Sequence, residues 1–190
     1  MLAYDADLEL FRDNFKRFMS EHIAPHYEKW EREGIMPRSV WTLLGENGFL
    51  CVDVPEEYGG YGVPTHYSLM LVEESARAGY CALSTGISCH SEIAAPYIQH
   101  IGSEEQKQYW LPKMVSGEVV GAIGMTEPGA GSDLQAMRTS AILQGDHYVL
   151  NGSKTFISNG QHADVVVLAV KTDPQARAKG VSLLLVDTHL

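Results

Sequence analysis

The residues best suited to chemistry lie in one run, Gly121-Ala-Ile-Gly-Met-Thr-Glu-Pro-Gly-Ala-Gly-Ser-Asp133. An apolar, strand-like stretch (Val119, Val120, Ala122, Ile123) leads into a loop with glycines at Gly129 and Gly131. Pro128 stiffens the entry, and Ser132 and Asp133 add a hydroxyl and a carboxylate. Glycine reaches positive φ at little steric cost, so such a loop can turn several backbone N–H groups toward one point. Converging N–H groups form a nest for an anion such as a pyrophosphate. Thr126 offers a hydroxyl just before the turn. The same residues also suit an ordinary Gly/Pro loop. No Gly-Lys-Ser/Thr ending makes this a P-loop. The glycines do not follow G-x-G-x-x-G, and no strand–helix–strand repeat is present to build a Rossmann unit.

A second dense stretch, Asn151-Gly-Ser-Lys-Thr-Phe-Ile-Ser-Asn-Gly160, follows. It reads as an Asn-Gly turn, a short strand and another Asn-Gly turn, since both residue types tolerate positive φ. The period of two then sets Phe156 and Ser158 on one face of that strand. A plain β-hairpin with one core phenylalanine reads the same way.

Taken together, in this order and at this spacing, the two stretches resemble the acyl-CoA dehydrogenase family of flavoproteins. Met125-Thr-Glu-Pro-Gly-Ala-Gly-Ser-Asp133 is similar to that family's signature, and Lys154-Thr-Phe-Ile-Ser-Asn-Gly160 to its flavin-contacting strand. The resemblance runs through the chain to Gly180-Val-Ser-Leu-Leu-Leu-Val-Asp187, and its nearest branch is the long-chain acyl-CoA dehydrogenases, which also carry Phe where most relatives have Trp. It implies FAD as cofactor and α,β-dehydrogenation of a fatty acyl-CoA to the trans-2-enoyl-CoA in fatty acid β-oxidation, with flavin as electron sink. It implies that Ile123, Met125, Thr126, Gly131, Ser132, Phe156, Ile157 and Ser158 bind the cofactor. Ser132 would also approach the substrate. Ser88, on a helix of small residues (Gly86, Ser88, Cys89, Ser91, Ala94, Ala95), would wall the acyl channel; close helix packing wants the same small residues. The catalytic base is expected beyond Leu190, because members of the family continue for about as long again. Glu127 and Asp133 suit structural roles, as loop anchor and as cap. The implied partners are acyl-CoA, an electron-transferring flavoprotein and further copies of the chain, as a dimer or tetramer. An acyl-CoA oxidase or flavin monooxygenase on the same scaffold, or a non-catalytic binding chain, are the alternatives.

The positioning elements follow from pattern. Up to about Gly117 the apolar residues recur at helical spacing: Leu8, Phe11, Phe15, Phe18, Met19 and His22 after Asp7; Val40, Trp41 and Leu44 after Pro37. Pro25 should end one helix or start the next, and Pro96 should break or kink a helix from about Leu83 to His100. Further helices are expected over 65–77 and from the capping box Ser103-Glu-Glu-Gln106 through Met114. Beyond Gly117, β-branched runs at 139–143, 147–150, 163–170 and 181–186 alternate with Gly and Asn turns. The expected architecture is α+β: a helical domain over residues 1–117, then an incomplete antiparallel, barrel-like β domain over 118–190. The family's C-terminal helical bundle lies outside the chain.

Composition bounds the rest. The chain has 190 residues, 45% hydrophobic and 20% charged, with formal net charge −10. That balance opposes a nucleic-acid surface, which needs a basic footprint, and docking on anionic lipid. No apolar run reaches the roughly 18 residues of a membrane span. Cys51, Cys81 and Cys89 form no C-x-x-C pair and read as reduced core residues. The acidic, amphipathic start does not read as a signal peptide. A cytoplasmic location is expected, or the mitochondrial matrix if the source is eukaryotic. The eight histidines include His22/His26 and His90/His100, without a third ligand at metal-site spacing, so no metal is expected.

Overall fold

The computed structural model describes residues 6–189. The acidic opening read above includes residues 1–5, which lie outside the described residues. The chain separates into two compact units, divided between Val119 and Val120.

The first unit is helical: α1 (Ala6–Phe18), α2 (Ala24–Glu33), α3 (Ser39–Glu46), α4 (His66–Arg77), α5 (Cys81–Ile87), α6 (Ala95–Ile101) and α7 (Glu104–Val115). Asp7 lies in the first turn of α1, and Leu8, Phe15 and Phe18 form its buried face. α2 stops at Gly34, whose φ of 73° is the left-handed turn that glycine adopts cheaply. α7 opens on the expected capping box: the Gln106 amide donates to Ser103 Oγ, and the Ser103 amide donates to Gln106 Oε1.

Pro25 starts the next helix, one of the two outcomes expected of it, and Pro96 starts a helix instead of breaking one. Pro25 and Pro96 each sit in the first turn of a helix that continues from a wider, π-type segment, Met19–Ile23 and Ser88–Ala94. Proline has no N–H to give the carbonyl one turn back. The chain widens instead, so that the Ala24 amide reaches Met19 O and the Ala95 amide reaches His90 O. Around these helices pack Phe15, Ile23, Trp41, Leu44, Leu71, Leu83, Ile87, Leu111 and Met114, all buried. Burying each such side chain contributes on the order of 1.5–3 kcal/mol. His90 is part of this core, its ring 5.3 Å from that of Trp41 and its Nε2 3.0 Å from the Met114 carbonyl oxygen. Cys51 and Cys89 are buried as expected, but Cys81 is exposed at the start of α5.

The second unit is an open five-stranded sheet: β1 (Gly121–Gly124), β2 (Ser140–Gln144), β3 (His147–Asn151), β4 (Val165–Lys171) and β5 (Val181–Asp187). β4 is the hub, pairing with β1, β2 and β5. The helical-then-sheet order is the expected one, but the sheet is mixed. β2–β3 and β4–β5 are antiparallel, whereas β1 runs parallel to β4, with Gly121 opposite Val165. Everything between residues 125 and 164 serves as the long crossover that a parallel pair requires.

The strand expected between the two Asn-Gly turns is absent. Phe156 and Asn159 hold φ of 56° and 62°, and no extended run survives two left-handed residues. The β2–β3 hairpin turns at Gly145-Asp146 instead. Gly152 is needed for a different reason: a Cβ there would lie 2.6 Å from Thr139 Cα.

Candidate cofactor site

Both chemically dense stretches belong to the sheet unit, and the structure fastens them together. After β3 the chain runs back along β1 and its continuation. The Thr155 amide donates to the Thr126 carbonyl (2.9 Å), and Asn159 Nδ2 donates to the Gly121 carbonyl (3.3 Å). Asp164 then exchanges hydrogen bonds with the Val120 amide and carbonyl before β4 starts. Residues 154–159 therefore line the edge that Gly121–Thr126 presents.

The centre of this junction is an ion pair. Lys154 Nζ donates to Glu127 Oε1 and to the Met125 carbonyl, each at 2.9 Å. The two side chains are only 9% and 6% exposed. Glu127 also accepts the Arg138 amide on Oε2 (2.7 Å) and the Thr139 amide on Oε1 (2.9 Å). Burial alone would raise its pKa. The donors from Thr139, Arg138 and Lys154 outweigh that and hold it at about 2. Glu127 is a fixed anion, as the loop-anchor expectation requires. The lysine stem passes Gly124, where a Cβ would sit 3.6 Å from Lys154 Cγ and 2.7 Å from Leu168 Cδ1.

The glycine-rich loop is built on this anchor. The Glu127 amide donates to the Ala130 carbonyl (2.8 Å) and the Ala130 amide returns to Glu127 O (3.1 Å), closing a tight turn over Pro128-Gly129. Met125 packs inward against Ala130, Met137 and Ala169, so its backbone is what it can show a ligand. Gly131 and Ser132 are exposed, and a Cβ on Gly129 or Gly131 would meet nothing within 4 Å. Asp133 caps the short turn that follows, accepting the Gln135 amide at 3.1 Å. Across the junction Phe156 is 94% exposed, Ser158 is exposed, and Ile157, Ile123 and Thr126 are half-buried. An apolar ring held in the open at positive φ is a costly arrangement, typical of a binding surface.

Sequence profiles for "Acyl-CoA dehydrogenase, N-terminal domain" and "Acyl-CoA dehydrogenase, middle domain" match residues 5–118 and 122–190. The chain belongs to the acyl-CoA dehydrogenase family. It is 41% identical over 189 residues to a long-chain specific acyl-CoA dehydrogenase of Sus scrofa, covering 98% of this chain and 44% of the relative. It is 40% identical, also over 189 residues, to an isovaleryl-CoA dehydrogenase of Solanum tuberosum, covering 98% of this chain and 45% of the relative. Among solved structures, the acyl-CoA dehydrogenase of Geobacillus kaustophilus superposes with a TM-score of 0.94 at 50% identity, over 98% of this chain and 49% of that one. An acyl-CoA dehydrogenase complexed with FAD from Bacillus anthracis gives 0.85 at 32% identity, over 97% of this chain and 32% of that one. The chain thus spans under half the length of the curated relatives it matches.

Within this family framework, the residues singled out in the sheet unit cluster along one edge: Ile123, Met125 and Thr126 beside 155–158, with Gly131 and Ser132 on the loop that continues from it. Ser88 belongs to the helical unit, half-buried at the first residue of the Ser88–Ala94 segment. The reading by spacing missed Lys154, the residue that joins the two stretches. Its signal was present as a lysine amid apolar and hydroxyl neighbours.

Among the described residues no helix is long and apolar enough to cross a membrane. No group of three or more His, Cys, Asp or Glu converges there as a metal site.

Proposed function

We propose that this chain forms the helical and sheet portions of an FAD-dependent acyl-CoA dehydrogenase acting on long-chain acyl-CoA. The observation that carries the reading is the joined edge itself: two motif stretches fastened by Lys154 and Thr155, with Phe156 standing 94% exposed beside them. A flat heterocycle with an anionic tail fits those residues. The Phe156 ring offers a stacking face. Thr126 and Ser158 offer hydroxyls to ring heteroatoms, and Ile123, Met125 and Ile157 supply backbone and apolar contact. The open turn at Gly131-Ser132 lets backbone N–H groups approach a diphosphate. Bound there, FAD supplies the two-electron acceptor for α,β-dehydrogenation. Ser132 lies on the same loop and would orient the thioester end of the substrate. Ser88 would border the acyl chain.

A general base for the α-proton needs an open lone pair and a pKa raised toward the working pH. Glu127 has neither, being held at about 2 by its donors, and Asp133 is engaged as a cap. Neither is assigned as the base, which we propose, from the family resemblance alone, lies outside these 190 residues. An electron-transferring flavoprotein as acceptor, self-association as a dimer or tetramer and a cytoplasmic or mitochondrial-matrix location complete the proposal. The named long-chain relatives support the substrate class. The isovaleryl relatives set the competing branched, short-chain specificity. The test is the visible absorption spectrum of the purified protein before and after anaerobic addition of a saturated long-chain acyl-CoA. A flavin band that bleaches is expected once that base is present; the 190 residues alone are expected to be inactive. A colourless protein, or bleaching by isovaleryl-CoA alone, overturns the cofactor or the substrate class respectively.

A further inference from the structure

We infer that the Glu127–Lys154 pair is a positioning element of the cofactor edge, setting which backbone groups that edge can offer a ligand. The inference rests on the flavin reading above. It starts from what a buried ammonium does that a neutral side chain cannot. For stability alone, a buried ion pair is a poor device; apolar side chains of similar volume often serve as well or better. Lys154 Nζ, however, donates to two acceptors at once, the Glu127 carboxylate and the Met125 carbonyl. One residue on, the Thr155 amide takes the Thr126 carbonyl. Both carbonyls of the Met125-Thr126 step are thereby occupied from the 154–155 side. What Thr126 then offers a ligand most readily is its amide donor and a hydroxyl that can also donate. An edge offering donors suits a ring whose rim presents carbonyl oxygens and unprotonated nitrogens.

The same pair couples the two stretches mechanically. Glu127 holds Arg138 and Thr139 by their amides, and through Lys154 it holds the segment that carries Phe156. Loss of the pair would release the stacking ring and the donor edge together.

The test uses the purified protein, with FAD as ligand. Binding is followed by quenching of flavin fluorescence and by the shape of the visible band, which reports hydrogen bonding at the ring. Thermal unfolding is recorded in parallel. Lys154→Met should weaken FAD about tenfold or more and lower the melting temperature, because the carboxylate is left without its counter-charge and Met125 O without a donor. The double variant Glu127→Gln/Lys154→Met removes the stranded charge, so its melting temperature should recover toward wild type. Its FAD affinity and band shape should stay impaired, since methionine cannot donate to Met125 O. A double variant that binds FAD with wild-type affinity and spectrum overturns the inference. If both lysine variants fail to fold, Glu127→Gln carries the test: affinity should fall several-fold, and an unchanged affinity overturns the inference equally. A wild-type protein that takes up no FAD removes the flavin reading itself, a separate and recognisable failure.

Discussion

Two glutamates, one in each compact unit, sit in opposite environments. Glu92, on the widened segment ahead of α6, keeps one carboxylate oxygen buried with no hydrogen-bond partner among the described residues. Burial, and then repulsion from Asp53, push it up to about 7. Glu127, in the sheet unit, has its carboxylate met by two amides and an ammonium and is held at about 2. The helical unit is organised by the packing of apolar faces, and the Glu92 carboxylate there is a tolerated cost. The sheet unit, like the helical unit with its Leu10 and Ile101, leaves apolar residues such as Phe156, Leu143 and Tyr148 in the open. It uses a buried polar cluster to pin its loops. The proposed cofactor contacts gather in the second unit because pinned loops, unlike packed helix faces, leave ligating groups available.

The largest test of this contrast is steric. Gly45 and Gly117 lie in helical-unit contacts, where an added Cβ would sit 2.1 Å from the carbonyl oxygens of Ser116 and Trp41 respectively. Gly45→Ala and Gly117→Ala should each cost about 3 kcal/mol or more in denaturant unfolding. Gly131→Ala, with nothing within 4 Å, should change stability by under about 0.5 kcal/mol. Equal costs would erase the distinction between packed and open glycines.

The two glutamates should give opposite pH dependence. Glu92 has a folded pKa near 7 against its ordinary 4.5, so the unfolded chain ionises first as pH rises. The helical unit should lose stability as pH climbs from about 4.5 to 7, and Glu92→Gln should flatten that slope. Glu127, near 2 against the same 4.5, contributes stability that is complete above 4.5 and disappears as pH falls toward 2. Glu127→Gln should remove that acid sensitivity. Thermal melts across the range, read by probes in each unit, decide both signs.

A smaller stability effect but a large binding effect is expected at Phe156. Phe156→Gly relieves a left-handed φ and surrenders almost no buried area. Melting temperature should hold or rise slightly, by the equivalent of up to about 1 kcal/mol. FAD affinity should drop, as measured by fluorescence titration. The smallest structural change is Ser88→Leu, which should shift turnover toward shorter acyl chains; an unchanged chain-length profile would show that Ser88 serves helix packing alone.

Much of the helical unit was legible along the chain. The Ser103 box and the buried faces of α1 and α3 depend on neighbours three or four residues apart, where sequence and space coincide. The prolines were harder, because a helix can widen instead of breaking, and only the groups packed around it decide which. In the sheet unit the strands at 140–144, 147–151, 165–171 and 181–187 were visible in their β-branched runs. The Asn-Gly pairs misled, since both signal positive φ without saying whether a hairpin or a pinned loop will use it.

Sequence alone determined the order of helices and strands, the acidic character of the chain and the two motif stretches that mark its family. Those are properties of residue type and local spacing. The tertiary structure decided that β1 and β4 run parallel, that residues 154–159 return along β1, and that Lys154 closes on Glu127 across 27 positions. Pairings over such separations depend on which backbone groups are left unsatisfied once the sheet has formed, and no local pattern encodes that.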